Sequence, residues 1–282
     1  MRFRNNRPVL AGLVLGLLLS GAGVSRSQPL SWLAPGEMEL CVFDVGYGLA
    51  ALLRTEEATA MVDVGPPEAA ARLAEALEGR GVSRIDHLFL SHGDPDHAGA
   101  FKVLTGRIPV GAVYWNGNPS DEALIALAKA LPGDVAVRIT PKGSRLKLPG
   151  RLEAVVLEAR KSGPDLNAGC LVLGFEYGRS RLLFPADIPP NVQWDIAGEH
   201  GDWLRKLTWA VLPHHGDFLD DDFRKFLKSS RAPLVLSVGT NPYGLPRPEV
   251  VEDKHLKELI LRTDKDGSLC FHVGSNGRVR RQ

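Results

Sequence analysis

A group of acidic and imidazole side chains follows directly after a short apolar stretch of the sequence. Residues 88–90 are apolar, and the next seven positions contain His92, Asp94, Asp96 and His97. Histidine nitrogens and carboxylate oxygens are the ligand types that zinc, iron and manganese accept. A solvated turn would explain the aspartates alone, but it does not require histidines on both sides of them. The segment therefore predicts a metal site.

Two later stretches repeat this arrangement of an apolar run that ends on a potential ligand. Asp187 follows residues 183–185, and the pair His214 and His215 follows residues 210–212. A carboxylate such as Asp187 can bridge two cations about 3.5–4 Å apart, as two-metal hydrolases require. Taken alone, Asp187 is also compatible with a helix N-cap, and the histidine pair with an ordinary loop.

The elements that must position these groups alternate between short apolar strands and helical stretches, without a low-complexity linker. This alternation predicts a mixed α/β fold, formed by a single domain over residues 28–282. The predicted strands are 39–45, 50–54, 59–64, 87–91, 110–115, 152–157, 170–177, 181–185, 210–212, 234–238, 260–263 and 268–273. The predicted helices are 67–80, 121–131, 218–229 and 249–258.

The first 27 residues have the layout of a secretory signal peptide. Three arginines precede an apolar run over residues 9–24, and small residues follow at Ser25 and Ser27. We expect cleavage before Gln28 and export to the periplasm or the exterior. An uncleaved N-terminal anchor is the alternative, because the run is nearly long enough to span a bilayer.

The charge of the mature chain gives no general attraction to nucleic acid. Removal of residues 1–27 takes away four arginines and no acids, so the formal net charge falls from +1 to −3. Cys41, Cys170 and Cys270 each lie in an apolar, strand-like stretch. We expect all three to be small buried core residues rather than disulfide partners.

The sequence 92–97 resembles the His-x-His-x-Asp-His motif of the metallo-β-lactamase superfamily. More closely, residues 38–276 resemble the hydrolase domain of ComEC-type DNA-uptake (competence) proteins. Further elements of this resemblance occur in the same order along the chain. They are Phe43-Asp44-Val45-Gly46, Met61-Val62-Asp63-Val64-Gly65, Pro185-Ala186-Asp187, Pro213-His214-His215-Gly216, Asn241-Pro242-Tyr243-Gly244 and Arg262-Thr263-Asp264.

The resemblance implies an αββα sandwich, two mixed sheets flanked by helices, with one or two zinc or manganese ions. The metal ligands that it implies are His92, Asp94, Asp96, His97, Asp187 and His214. Asp96 and Asp63 would serve catalysis, Asp63 by orienting a ligand or the metal-activated water. Substrate-contacting or supporting roles would fall to Asp44, Asn167, His215 and Tyr243.

Several positions depart from the ComEC-type pattern. Asp94 replaces the second histidine of the motif, which favours harder metals such as manganese. Tyr47 stands in place of Gln, Leu49 in place of Asp and Leu245 in place of His. Asp217 follows the histidine pair in place of Ser. These changes imply an altered substrate or a reduced activity.

Three functions follow from this reading. The first is an exported phosphodiesterase or nuclease, with a phosphodiester or nucleic acid as the partner. The second is hydrolysis of another bond, in a lactam, an ester or a cell-wall phosphoester. The third is a metal-binding module with impaired catalysis. Residues 28–282 contain no run of apolar segments that could form a pore, and the sequence leaves the oligomeric state open.

Overall fold

A computed structural model describes residues 33–161 and 165–282. The predicted signal peptide, residues 1–27, lies outside the described residues. Within them, no helix combines the length and apolar character needed to cross a membrane.

The described chain forms fifteen strands and nine α-helices. The strands are β1 Glu37–Val42, β2 Ala50–Arg54, β3 Thr59–Val64, β4 Ile85–Phe89, β5 Val110–Trp115, β6 Ala136–Ile139, β7 Arg145–Leu148, β8 Leu152–Ala159, β9 Leu171–Tyr177, β10 Ser180–Phe184, β11 Trp209–Val211, β12 Leu234–Leu236, β13 Ile260–Arg262, β14 Leu269–Gly274 and β15 Val279–Arg281. The helices are α1 Ala70–Gly79, α2 Pro95–Ala98, α3 Phe101–Thr105, α4 Glu122–Ala130, α5 Pro190–Glu199, α6 Gly201–Leu204, α7 Asp221–Ser230, α8 Pro248–Val251 and α9 Thr263–Asp266.

The strands form two mixed sheets. The first has the order β15-β14-β1-β2-β3-β4-β5-β6, and the second has the order β13-β12-β11-β10-β9-β8-β7. In the first sheet, β3 to β6 run parallel to one another. In the second sheet, β10 to β13 are parallel. Because parallel strands end at the same edge of a sheet, each sheet gathers several strand-to-loop junctions at one edge.

Three apolar clusters separate the layers of the molecule. The largest fills the space between the two sheets and includes Phe89, Phe175 and Trp209. A second lies between the first sheet and the helices α1, α3 and α4. A third lies between the second sheet and the helices α5 and α7. This arrangement of helix, sheet, sheet and helix confirms the predicted αββα fold class.

Some elements differ from the prediction. The helix expected over 249–258 is the single turn α8, because the Asp253 side chain accepts the backbone N–H groups of His255 (2.8 Å) and Leu256 (3.2 Å). An aspartate that caps its own chain favours a new turn over a continued helix. The strands β6 and β7 were not predicted, because they are four residues long and mostly exposed.

The prediction for the cysteines was wrong in part. Cys41 and Cys270 form a disulfide across the antiparallel pair β1 and β14, where they face each other with their Cα atoms 4.1 Å apart. The two positions are 229 residues apart in sequence, so only the strand register reveals the pairing. Cys170 is a free, buried thiol, as expected.

Candidate metal centre

The candidate ligands lie where the parallel strands end. Asp63 is the penultimate residue of β3, and the loop that carries His92 follows β4. In the other sheet, Asp187 follows β10 and His215 follows β11. A backbone hydrogen bond from Leu171 N to Ser91 O (2.8 Å) ties the second sheet to the loop after β4. The sandwich thus brings residues from four strand ends into one place.

Asp63 is fully buried and fixes the orientation of His97. One carboxylate oxygen accepts the backbone N–H of Ser91 at 2.8 Å, and the other lies 2.7 Å from the Ser91 hydroxyl and 2.8 Å from His97 Nδ1. The carboxylate keeps the proton on Nδ1 and turns Nε2 toward the centre.

His215 is oriented in the same manner by a backbone carbonyl. Its Nδ1 lies 2.7 Å from the Ser237 carbonyl oxygen, which follows β12. A carbonyl can only accept, so Nδ1 carries the proton and Nε2 presents its lone pair. Nε2 lies 3.1 Å from Asp96 Oδ2 and 3.4 Å from Asp187 Oδ2.

The two Nε2 atoms of His97 and His215 lie 3.2 Å apart. With both Nδ1 protons assigned, two lone pairs would face each other in neutral histidines. Ligand atoms of Asp96, His97, Asp187 and His215 all lie within 4.8 Å of one another. A cation in this position would satisfy two nitrogens and two carboxylates at once, so the donor set fits a divalent metal.

The pKa shifts of the cluster reflect the opposed effects of burial and of the neighbouring charges. Burial alone would raise the pKa of the Asp187 carboxyl, but His97 and His215 hold it well below its usual range. Burial alone would lower the pKa of His215, but Asp187 outweighs this effect and raises it to about 9. Metal binding to such a site displaces the protons.

His215, not His214, lies in the four-residue cluster. His214 is 27% exposed, with its Nε2 3.8 Å from Asp187 Oδ2 and its Nδ1 3.6 Å from Asp217 Oδ2. Both histidines have positive φ angles, 47° and 51°, and this unusual turn sends the second imidazole inward. The sequence shows the pair but not the direction of its side chains. In this structure it is therefore His215, and not the predicted His214, that lies within 4.8 Å of Asp96, His97 and Asp187.

Two further predicted ligands, His92 and Asp94, lie beside the cluster. The ring centroid of His92 lies 4.2 Å from that of His97, its Nδ1 lies 2.9 Å from the Ser91 hydroxyl and its Nε2 lies 3.5 Å from Asp94 Oδ2. Among the described residues, His92 Nε2 and Asn167 Oδ1 are buried without a hydrogen-bond partner, as are Trp115 Nε1, Trp209 Nε1 and Arg224 Nε. An unsatisfied buried polar atom is costly, so His92 Nε2, beside the cluster, fits a further ligand position.

Backbone strain accompanies the site. Six non-glycine residues of the described chain have positive φ angles, and four of them, Asp63, Ala186, His214 and His215, belong to or adjoin the candidate centre. Such conformations cost about 1–3 kcal/mol each and persist where the surrounding structure enforces them. Their concentration here supports a functional role for this edge of the sandwich.

The remaining predicted residues lie around the centre. The Asp44 carboxylate accepts the backbone N–H of Gly46 at 3.1 Å and so shapes the opening loop. Tyr243 is 63% exposed, and its ring centroid lies 5.4 Å from that of Tyr47. Leu49 and Leu245 are buried, with 2% and 8% exposure. The two leucines thus pack inside the protein.

Sequence reasoning missed three supporting groups. Ser91 and the Ser237 carbonyl orient the histidines, as described above. The carboxylate of Asp121 lies against the loop that carries the ligands, because a Cβ atom added at Gly93 would lie 2.1 Å from Asp121 Oδ1. The same oxygen caps α4 by accepting the N–H of Leu124 at 3.0 Å. The sequence placed Asp121 at the start of the predicted helix 121–131, but its contact with Gly93 is tertiary.

Comparison with known proteins identifies the family. The model of the metallo-β-lactamase superfamily matches residues 43–225 of this chain. The match covers more than half of the sequence and includes the loops after β3, β4, β10 and β11. The chain belongs to the metallo-β-lactamase superfamily.

Two relatives are competence proteins. Competence protein ComA of Neisseria gonorrhoeae is 29% identical over 265 residues, which cover 93% of this chain and 36% of ComA. ComE operon protein 3 of Bacillus subtilis is 25% identical over 207 residues, 69% of this chain and 25% of that protein. These matches confirm the ComEC-type resemblance. The chain spans about a third of the length of ComA.

Solved structures of low identity share the fold. The metallo-β-lactamase fold protein YhfI of Bacillus subtilis has a TM-score of 0.56 at 11% identity, with 83% of this chain and 99% of that chain covered. A diphosphatase of the PhnP family has a TM-score of 0.52 at 15% identity, covering 84% and 99%. The CmlA β-hydroxylase has a TM-score of 0.56 at 17% identity, covering 88% and 54%. The fold therefore accommodates different reactions, so a function must be inferred from the residues of the site and not from the fold.

Proposed function

We propose that this protein is a metal-dependent phosphodiesterase. The family and the candidate cluster support a metal-dependent hydrolase, and the proposal adds the bond that is cleaved. In this reaction, water adds to phosphorus, a P–O bond breaks, and an alcohol leaves with a proton. The products are a phosphomonoester and an alcohol.

The observation that carries the proposal is the opposed pair of imidazoles between two carboxylates. His97 Nε2 and His215 Nε2 lie 3.2 Å apart, and each faces Asp187 at 3.2–3.4 Å. Such a set of nitrogens and oxygens suits zinc or manganese. When bound there, a divalent cation activates water and neutralises the charge of a phosphate group.

The protein's own residues prepare this site. Asp63 holds the proton on His97 Nδ1, and the Ser237 carbonyl holds the proton on His215 Nδ1. Both imidazoles therefore keep Nε2 free for a cation without rotating. Asp96, Asp187 and the two histidines would hold one ion, and His92, Asp94 and Asn167 would complete a second position with Asp187.

The resemblance to the hydrolase domain of DNA-uptake proteins favours a phosphodiester over a lactam, an ester or a cell-wall phosphoester. We also propose that the protein is exported. The predicted signal peptide supports export, and so does the Cys41–Cys270 disulfide, since disulfides persist in oxidising compartments. An uncleaved anchor at the N-terminus would place the same domain outside the membrane.

The test combines metal content with turnover. Purified residues 28–282, reconstituted with zinc or manganese, should bind one or two ions per chain and hydrolyse bis-(p-nitrophenyl) phosphate. The Asp187→Ala variant should lose turnover and metal together, while Trp194→Ala, which removes an exposed side chain of α5, should retain both. Bound metal without turnover of this ester or of nucleic acid would refute the phosphodiesterase. A chromogenic cephalosporin would then test lactam hydrolysis, and inactivity on both would indicate the impaired module.

A further inference from the structure

A series of aromatic rings leads from the surface into the candidate metal centre. The ring of Tyr243 lies 5.4 Å from that of Tyr47, which lies 4.5 Å from the imidazole of His215. The imidazole of His97 follows at 5.2 Å. Tyr243 is the most exposed large apolar side chain among the described residues, and Tyr47 is half-buried. The outer two rings form what we call the tyrosine shelf.

The inner half of the shelf is held firmly in place. The loop that carries Tyr47 is bound on both sides, by Leu49 N to Asp96 O (3.1 Å) and by the Ser237 hydroxyl to Gly48 O (2.6 Å). A Cβ atom at Gly48 would lie 2.2 Å from Asp96 O, so this loop lies directly against the backbone of a candidate ligand. Tyr47 is thereby fixed beside the cluster.

The loop that carries Tyr243, the outer ring of the shelf, is stabilised by the side chain of Asn241. Asn241 donates to the carbonyls of Gly239 and Leu245, both at 2.8 Å, and accepts the backbone N–H groups of Tyr243 and Leu245, both at 3.1 Å. All four bonds lie within one short loop, so the turn is braced from inside. Tyr243 is therefore presented to solvent on a shaped loop, and its exposure is not the result of a loose chain.

The Tyr243 ring is 63% exposed although it contacts Tyr47. Two other large aromatic side chains of the described residues, Trp194 and Phe218, are exposed by 59% and 52%. Phe218 is covered by the Arg247 guanidinium at 4.9 Å, and Trp194 lines a cavity of about 580 Å³ together with Phe226. The outward part of Tyr243, beyond its contact with Tyr47, remains free for a ligand beside the metal centre.

We propose that the tyrosine shelf binds a planar aromatic ring of the substrate next to the phosphoester that is hydrolysed. The inference rests on the proposed phosphodiesterase and narrows its substrate to esters that carry such a ring. Aromatic side chains bind rings by stacking, which is tolerant of ring identity. A nucleobase is one source of the ring and a phenolic ester is another.

Two pairs of probes test the shelf by isothermal titration of the metal-loaded protein. Phenylphosphonate against methylphosphonate isolates the effect of any ring, and deoxythymidine 5′-monophosphate against deoxyribose 5-phosphate isolates that of a nucleobase. We expect the ring-bearing member to bind about 5- to 150-fold more tightly, the range that base stacking gives. A preference in the nucleotide pair identifies a nucleobase as the source, and a preference in the phenyl pair alone identifies a simpler aromatic ester.

The variants assign the preference to the shelf. Tyr243→Ala should abolish it, Tyr243→Phe should retain it because the ring remains, and Trp194→Ala should leave it unchanged. Binding of methylphosphonate should be the same in all four proteins. Two outcomes would overturn the shelf and leave the proposed phosphodiesterase unaffected. One is equal binding of the two members of each probe pair by the wild-type protein, and the other is a preference for the ring that survives Tyr243→Ala. Failure of all four probes to bind would overturn both proposals.

Discussion

Two groups of charged side chains are buried in this protein, and they are neutralised in opposite ways. In the first, Glu39 is fully buried and is bound by two arginines, Arg54 at 2.7 Å and Arg80. Arg54 also donates to the Arg80 carbonyl at 2.6 Å, and Arg80 contacts the Cys270 sulfur at 2.9 Å. In this arginine cluster, the buried Glu39 carboxylate is neutralised by cations of the same chain.

The candidate metal centre lacks such compensation. Three carboxylates, Asp63, Asp96 and Asp187, face histidines and have no arginine or lysine within ion-pair distance among the described residues. Neutral imidazoles cannot balance these acids, so the site requires bound protons or a cation. The contrast shows how a structural polar cluster differs from a functional one: the first is complete within the chain, and the second is completed from outside.

The largest effect should follow from removing ligands. A His97→Ala, Asp187→Ala double variant leaves two of the four candidate ligands. Removing half of a set that supplies about 10–16 kcal/mol in four-ligand zinc sites should weaken metal binding by about 10⁴-fold or more. Competition with a chromophoric chelator measures this loss, and Arg54→Met serves as the control that should retain metal. Unchanged affinity in the double variant would place the metal elsewhere.

A substitution in the arginine cluster should lower the stability of the fold and leave metal binding unchanged. Arg54→Met removes one of the two arginines that compensate the buried Glu39 carboxylate. Breaking a buried ion pair costs about 3–5 kcal/mol of unfolding free energy, measurable by urea denaturation. Replacing both partners, as in Glu39→Leu with Arg54→Met, should cost less than the single change. A single variant as stable as the wild type would show that Glu39 is compensated by Arg80 alone.

Asp63 belongs to both kinds of buried group, because it is a buried acid whose partner, His97, is a candidate metal ligand. Asp63→Asn keeps the size of the side chain but removes the charge that holds the proton on His97 Nδ1. Changes to groups that orient a ligand typically lower metal affinity by 10–100-fold, and we expect a loss of about that size. Asp44→Asn, in the neighbouring loop, is the matched control and should change the affinity little. Equal losses in both variants would argue against orientation through His97.

Much of the fold and of the candidate metal centre could be predicted from the sequence, whereas the arginine cluster was not predicted, and the missing part has a physical reason. The apolar alternation predicted the mixed α/β class, and the ordered motifs predicted the sandwich. The motifs also predicted that Asp96, His97 and Asp187 belong to one site. The choice of His215 over His214 depends on a left-handed turn that residue types do not reveal. Ser237 orients His215 through its backbone carbonyl. Because every residue has this group, the residue type gives no signal of the role. The Cys41–Cys270 bond depends on a register set by two distant strands.

A substitution at His87 should have the smallest effect on stability, and it tests the comparison at a residue outside both clusters. It lies in β4 with its Nδ1 3.0 Å from the Tyr114 hydroxyl, a single neutral partner in place of a network. Burial is the main cause of its lowered pKa, Arg138 and Arg84 lower it further, and together they outweigh Asp86, which raises it. The folded protein therefore resists protonation of this imidazole more than the unfolded chain does.

The sign of the pH dependence follows from this depressed pKa. Above about pH 6.5, the ordinary value for histidine, both states are neutral at this position and His87 adds no pH dependence. Below it, the unfolded chain takes up the proton first, so the unfolding free energy falls by at most about 1.4 kcal/mol per pH unit until the folded pKa is reached. His87→Gln keeps a hydrogen-bonding group beside Tyr114 but cannot titrate. In urea denaturation between pH 5 and 8, the difference between wild type and variant should be constant above pH 7 and should shift in favour of the variant below pH 6.5. A difference that stays constant throughout would show that the half-buried His87 resists protonation no more than the unfolded chain does. The distinction between the two kinds of burial would then fail at its simplest case.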